Sequence, residues 1–316
     1  MITFDMHKIQ NILPLLQDKL DMTHSISFKV LNPDICDCCY AGTIINVNGI
    51  DYLYRSYKAW TDMAELLHAK MLTPRKIDDN FIEITFKKLK KDSFHDVEKS
   101  SDKYGIDSHF SRIHKMEEPS FYYYYHQALD NVKIENKNRI LNLGINRGDE
   151  FEVIKNKLNT KKYDLIDFVG VDHSESAIAY ANKQFPEQNV KLYTTDINLL
   201  DTLNLGKFDL LISIGTLQSS SIHFKPFLMY LVQHYLEKDA ALILGFPNSR
   251  WIGGEMIYGA KAPNYQMNEM SLLLNDISFA KKYLQQKKYR VSITGKQYLF
   301  LTATKFLTNP HNVSKV

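Results

Sequence analysis

The sequence predicts a chain of two parts, a small α+β module in the front third and an α/β domain with a mostly parallel sheet behind it. Three observations carry this. Apolar, strand-length runs at 139–143, 168–171, 190–193, 208–214 and 240–245 are separated by connections of helical character, and such alternation buries a parallel sheet between helices. The turn Gly144-Ile145-Asn146-Arg147-Gly148 joins the first run to an acidic helix start, and the second run ends on Asp172. Last, strand patterns at 289–294 and 297–304 flank Gly295-Lys296, a tight turn that makes the end of the sheet an antiparallel hairpin.

Composition narrows the classes. The chain has 316 residues, with 44% hydrophobic and 24% charged side chains, ordinary values for a globular protein with room for about two domains. A net charge of only +3 supplies no basic field of the kind that nucleic acid selects. The three cysteines, Cys36, Cys38 and Cys39, lie together, so a cysteine-bearing loop in a reducing cytoplasm is expected rather than a spread disulfide framework. A zinc site would need a further ligand such as His24 and a different cysteine spacing; no metal is expected. No basic segment leads an apolar one at the N-terminus, and no apolar run approaches the roughly 20 residues of a membrane span.

In order along the chain, residues 7–20 place Ile9, Ile12, Leu13, Leu16 and Leu20 at helical spacing, with Pro14 as a flaw. Residues 26–31 alternate as a strand. Asn48-Gly49 between two apolar runs reads as a hairpin turn, because that pair tolerates positive φ. Residues 57–72 read as one amphipathic helix stopped by Pro74, and 81–86 as a further strand. The lysine-rich stretch from Lys87 onward marks a boundary. The expected domains are thus 1–90, a linker at 91–118, the α/β domain at 119–306 and a fraying tail at 307–316. A helix from Pro119 or Ser120 carries Tyr122, Tyr123, Tyr124 and Tyr125. Four consecutive positions face all sides of a helix, so some of these rings must point away from the core.

The chemistry sits at the glycine turn. Glycine lets backbone come close to a ligand, a helix N-terminus offers free N–H groups, and an acid at the tip of the next strand accepts hydrogen bonds from ribose hydroxyls. Asp172 lies 28 residues beyond Gly144, against about 20 in dinucleotide folds, which leans away from NAD.

With strand, glycine turn, helix, strand and acid in that order, residues 119–306 resemble the class I S-adenosylmethionine-dependent methyltransferases. The resemblance implies a Rossmann-like, seven-stranded, mostly parallel sheet with a terminal antiparallel hairpin, the small N-terminal α+β domain being an addition. It implies S-adenosyl-L-methionine as cofactor and methyl transfer as activity. Asn142, Gly144, Asn146, Arg147 and Gly148 then match the family's first motif, with Asn142 where an acid usually stands and Asn146 in place of the middle glycine. Asp172, followed by His173, matches the ribose-binding acid. Asp196, followed by Ile197, matches the acid that contacts the adenine amine, and Ser213, Gly215 and Gln218 belong to the loop beside the reactive methyl. Arg147 is a candidate partner of the methionine carboxylate.

Methyl transfer needs a nucleophile held in line and water kept out, with a base only where the acceptor is protonated. Gln218, His223, His126 and Tyr125 are the candidates for handling the acceptor. A small molecule is the first expectation, since the Asn-Pro-Pro-Tyr-type motif of amino-group nucleic-acid methylation is absent and Phe246-Pro247-Asn248 does not replace it. An RNA methyltransferase with the front module as recognition domain is the second. A non-catalytic binding or scaffold protein, suggested by Asn142 and Asn146, is the third.

Overall fold

The computed structural model describes residues 1–90, 104–259 and 270–305. The chain divides into two compact units, one of Met1–Asp96 with Trp251–Ile257 and one of Val97–Arg250 with Tyr258–Val316. The linker expected at 91–118 lies outside the described residues up to 103, and the tail from 307 lies wholly outside them.

In the first unit, β1 (Ile2–Thr3), β2 (Ser25–Leu31), β5 (Ala69–Met71), β6 (Arg75–Lys76) and β7 (Phe81–Lys88) share a sheet in the order β1-β2-β7-β5, with β6 also on β7. Helix α1 (Ile9–Met22) buries Ile12, Leu16 and Leu20, one face at four-residue intervals, and carries Pro14 within it. These leucines join Phe4, Phe28, Trp60 and Phe86 in the core. The Asn48-Gly49 turn has φ of 53° and 85° and links β3 (Ile44–Val47) to β4 (Ile50–Leu53). Helix α2 (Tyr57–Leu66) is capped by the Ser56 hydroxyl, which accepts from the Ala59 N–H at 3.3 Å.

Two expectations change here. The helix expected over 57–72 stops at Leu66: His68 turns the chain at φ 50°, and Ala69 to Met71 pair with β7 instead. Lys87 and Lys88 complete β7, and the Lys88 ammonium reaches the Leu20 carbonyl at 3.2 Å and Asp21 at 2.7 Å. The cysteines also depart from the reduced loop: Cys36 and Cys39, which do stand at Cys-x-x-Cys spacing, are joined as a disulfide, and Cys38 is exposed and free. Among the described residues no group of three or more His, Cys, Asp or Glu is arranged to hold a metal ion, and no helix is long and apolar enough to cross a membrane.

The second unit begins, among the described residues, with segment 104–118, then α3 (Pro119–Asn131). Strand β8 (Arg139–Leu143) follows, then α4 (Asp149–Lys157), the short α5 (Thr160–Asp164), β9 (Asp167–Asp172), α6 (Glu175–Gln184) and β10 (Val190–Thr194). A 3-10 turn at Ile197–Leu203 leads to β11 (Phe208–Ile214), α7 (Phe224–His234) and β12 (Leu236–Pro247). After β12 come the strands of a hairpin, β13 (Ser249–Ile252) and β14 (Glu255–Tyr258), which turns at Gly253-Gly254 with positive φ and of which Trp251–Ile257 belongs to the first unit. Helix α8 (Ser271–Gln286), β15 (Tyr289–Gly295) and β16 (Tyr298–Lys305) complete the unit.

The seven strands run β10-β9-β8-β11-β12-β16-β15. Every pairing is parallel except those of β16 with β12 and with β15. This is the sheet implied by the resemblance to class I methyltransferases. Strand alternation splits the apolar residues between two faces. Leu141, Val169, Leu211, Leu242 and Leu301 pack with Leu228 and Leu231 of α7 and Ile277 and Leu284 of α8. On the other face Phe168 meets Phe151 of α4 at 5.0 Å, and Phe300 meets Phe121 of α3 at 5.3 Å.

The tyrosine run resolves by the 100° step of the helix. Tyr125 is fully buried, while Tyr122 and Tyr123 are 44% and 62% exposed.

Candidate functional site

The carboxyl ends of β8, β9 and β11 meet at the glycine turn. Gly144, Asn146 and Gly148 have φ of 77°, 45° and 94°, values that glycine and asparagine tolerate best. What excludes a side chain at 144 is the protein itself: a Cβ there would stand 1.8 Å from the Thr216 hydroxyl oxygen. At 148 it would stand 2.3 Å from the Phe185 ring. These glycines thus make room for the loop after β11 and for the end of α6.

Asp172, at the tip of β9, clamps the turn. Its carboxylate accepts from the Asn146 N–H at 2.9 Å and from the Ser174 N–H at 3.0 Å, and the residue is 5% exposed. An ionised carboxylate offers about four lone-pair sites. Two are engaged by backbone, and the His173 Nδ1 stands 3.3 Å from Oδ1, which leaves capacity for a hydroxyl donor.

Segment 104–118 crosses this edge. Asn146 donates from Nδ2 to the Tyr104 carbonyl at 2.9 Å, and the Ile106 N–H reaches the Ser176 hydroxyl at 3.1 Å. Arg147 donates to the Ser111 carbonyl at 2.6 Å and to the Ile113 carbonyl at 3.5 Å, and pairs with Asp149 at 3.3 Å. The arginine considered as a carboxylate partner is thus committed to holding this segment down. Tyr104 stands edge-on to His173 at 5.7 Å and to Phe110 at 5.0 Å. We expect Arg147→Ala to release the segment: amide exchange over 104–118 should quicken at least tenfold while β8 and β9 stay protected. Unchanged exchange there would show that the arginine contributes little to its order.

Two charges are drawn from water here, Glu150 at the start of α4 and Lys115 on the segment itself. Glu150, in the first turn of α4, is 6% exposed. Burial pushes its carboxyl up to about 7 and Asp149 adds to the rise, against the pull of Lys115. Lys115 is partly buried, with its ammonium 5.4 Å from the centre of the Phe110 ring and 5.7 Å from that of Tyr298. Burial lowers it, but Tyr298, Glu150, Asp149 and Tyr104 together leave it raised. Asn142, 1% exposed at the end of β8, completes the group. Its Nδ2 has no hydrogen-bond partner of good geometry, yet it lies close enough to Glu150 to favour the ionised acid. The Gln218 Oε1 after β11 and the Asn248 Oδ1 after β12 are also buried and unpartnered. Orphaned polar atoms after three adjacent strands suit a polar ligand across this edge.

The remaining candidates scatter. Ser213 is 2% exposed and donates to the Leu143 carbonyl at 3.1 Å, tying β11 to β8. Ile197 is a core residue, and the exposed Asp196 caps its own turn through the Asn198 N–H at 2.8 Å. Gly215 has φ 75° and faces Pro247 and Tyr298. His223 is an exposed residue at the start of α7. Two acceptor-handling expectations are corrected. The Tyr125 hydroxyl is buried and donates to the Glu150 carbonyl at 3.2 Å, while its ring packs on Phe300. His126 lies beside Lys157 at 3.1 Å, at the far end of α4 from the glycine turn, and near Asp130.

Sequence reading missed Lys115, Tyr104, Thr216 and Tyr298 as site residues. Glu150 reads from sequence only as part of the acidic helix start. The one available signal was the aromatic and basic cluster Phe110, Arg112 and His114 ahead of α3.

No family model matches the chain, and no curated protein matches it. Solved structures do. The plantazolicin methyltransferase BpumL, in complex with a monoazolic desmethylPZN analogue and SAH, aligns with a TM-score of 0.41 at 14% identity, over 60% of this chain and 86% of its own. The magnesium protoporphyrin IX methyltransferase from Synechocystis PCC 6803, with bound SAM, gives 0.39 at 17% identity, over 62% and 86%. The precorrin-6y C5,15-methyltransferase from Geobacter metallireducens GS-15 gives 0.40 at 10%, over 57% and 88%. It is the strand order of this chain, not these likenesses, that defines its fold.

Proposed function

We propose that the second unit binds S-adenosyl-L-methionine and transfers its methyl group to a small-molecule acceptor. The observation that carries this reading is Asp172: a buried carboxylate at the tip of the second strand of the methyltransferase-ordered sheet, pinned to the glycine turn with acceptor capacity remaining. That is the chemistry a ribose diol needs. When bound, the cofactor supplies a methyl carbon already activated by a sulfonium.

The chain's own residues then position and exclude. Asp172 holds the sugar, and segment 104–118, fastened by Asn146 and Arg147, keeps water from the edge. Gln218, whose buried Oε1 lacks a partner, is the residue after β11 best suited to accept a hydrogen bond from the acceptor. The modest net charge of +3 favours a small molecule over RNA.

Thermal shift tests the cofactor. A ligand at 100 times its Kd stabilises the folded state by about 2.7 kcal/mol, so S-adenosylhomocysteine should raise the melting of the second unit by several degrees and NAD should not. Asp172→Ala should weaken that binding by at least about 100-fold, because each hydrogen bond to a charged acceptor contributes roughly 1.5–3 kcal/mol. Equal affinity in the variant would remove Asp172 from the ribose role. Cofactor binding with no labelled methyl passed to any metabolite or RNA pool would favour a non-catalytic protein.

A further inference from the structure

We infer that Glu150 and Lys115 form a clamp for a zwitterionic α-amino acid group, with Glu150 receiving its ammonium in place of the acid absent at Asn142 and Lys115 receiving its carboxylate. This rests on the cofactor reading above and assigns the methionine end of that ligand to residues outside the glycine turn.

The two side chains act on each other electrostatically, and Glu150 is almost wholly withdrawn from solvent. Yet among the described residues Lys115 closes no ion pair with it, lying instead over the Phe110 and Tyr298 rings. Opposite charges in a sheltered site that close no ion pair are an unfavourable arrangement for a protein alone, since in exchange for water Lys115 has only the two ring faces and Glu150 only its own backbone N–H and the neighbouring Asn142. A ligand carrying one charge of each sign satisfies both at once. A simple anion or cation would satisfy one and repel the other.

Asn142 points the same way. Its Nδ2 is buried without a well-formed hydrogen bond beside Glu150, and it is a donor, so it orients a carboxylate rather than an ammonium. The ammonium is left to Glu150. The groups facing Glu150 from the surrounding elements are Lys115 from segment 104–118, Asn142 from β8 and Asp149 from its own helix. Arg147, which would otherwise compete for the ligand carboxylate, is held by the Ser111 and Ile113 carbonyls.

Titration calorimetry with S-adenosylhomocysteine and 5′-methylthioadenosine tests the clamp, since the second keeps the nucleoside and sulfur and lacks the amino acid. The wild-type chain should prefer S-adenosylhomocysteine by about 100-fold or more. Glu150→Gln and Lys115→Gln should each lower affinity for S-adenosylhomocysteine at least tenfold while leaving 5′-methylthioadenosine within about threefold. If both variants keep the wild-type preference, the amino acid group is held elsewhere and the clamp is overturned, with the cofactor reading intact. If a variant that melts no lower than the wild type loses both ligands, the residue supports the whole pocket and the clamp is again overturned. If the wild-type chain binds neither ligand, the cofactor reading itself falls and takes the clamp with it. Should Glu150→Gln fail to fold, Lys115→Gln and Glu150→Asp carry the same comparison.

Discussion

Gly144→Ala is expected to destabilise the second unit by about 2–5 kcal/mol. Roughly 1–2 of this comes from holding a side chain in the left-handed region at φ 77°. A further 1–3 comes from overpacking, because the new Cβ falls 1.8 Å from the Thr216 hydroxyl oxygen and 2.8 Å from its Cβ. The two contributions separate in a double-mutant cycle. Thr216→Gly removes the atoms that clash, so the pair Gly144→Ala/Thr216→Gly should recover the overpacking and leave the backbone strain. Urea unfolding followed by far-UV circular dichroism is the suitable measurement, since both tryptophans, Trp60 and Trp251, belong to the first unit and do not report on this one. Strict additivity of the two substitutions would mean that Thr216 does not press on the glycine turn.

Glu150→Gln should stabilise the ligand-free protein, and more so as pH rises. The folded-state carboxyl sits at about 7 against an ordinary 4.5. Below about 4.5 the folded and unfolded chains both hold the proton, and the residue contributes no penalty. Between 4.5 and 7 the unfolded chain releases the proton while the folded one keeps it, so stability is lost as pH rises through this window. Above 7 the loss is complete, on the order of 3 kcal/mol at 1.36 kcal/mol per pH unit. Glutamine does not titrate and carries none of it. The stability difference between variant and wild type should therefore be small at pH 4.5 and largest near pH 8. A difference that stays flat between pH 5 and 8 would place Glu150 in water rather than in the protein. An acid retained against its own contribution to stability is the pattern of a functional site.

Much of the second unit was legible because its signals are local. Runs such as Phe208 to Ile214 are apolar over strand length, and Gly148 precedes an acidic helix start, so strand, turn and helix followed from neighbours in sequence. Local reading failed where periodicities overlap. Residues 57–72 hold apolar side chains that fit a helix throughout, and only the pairing of Ala69 to Met71 with β7 shows that the last of them belong to a strand. The hairpin after β12 is not legible for a related reason, since Gly253-Gly254 joins strands too short to show an alternation of their own.

The sequence by itself determined the order of the sheet's elements, the place of the glycine turn and the acid at the tip of β9, because each depends on residues a few positions apart. Only the tertiary structure decided what those glycines face, where Arg147 is anchored, and that Lys115 stands over the same edge as Glu150 and Asn142. The physical reason is distance along the chain. Burial and charge depend on which segments fold over one another, and residues 35 positions apart, such as Lys115 and Glu150, acquire their chemistry from a proximity that no spacing rule encodes.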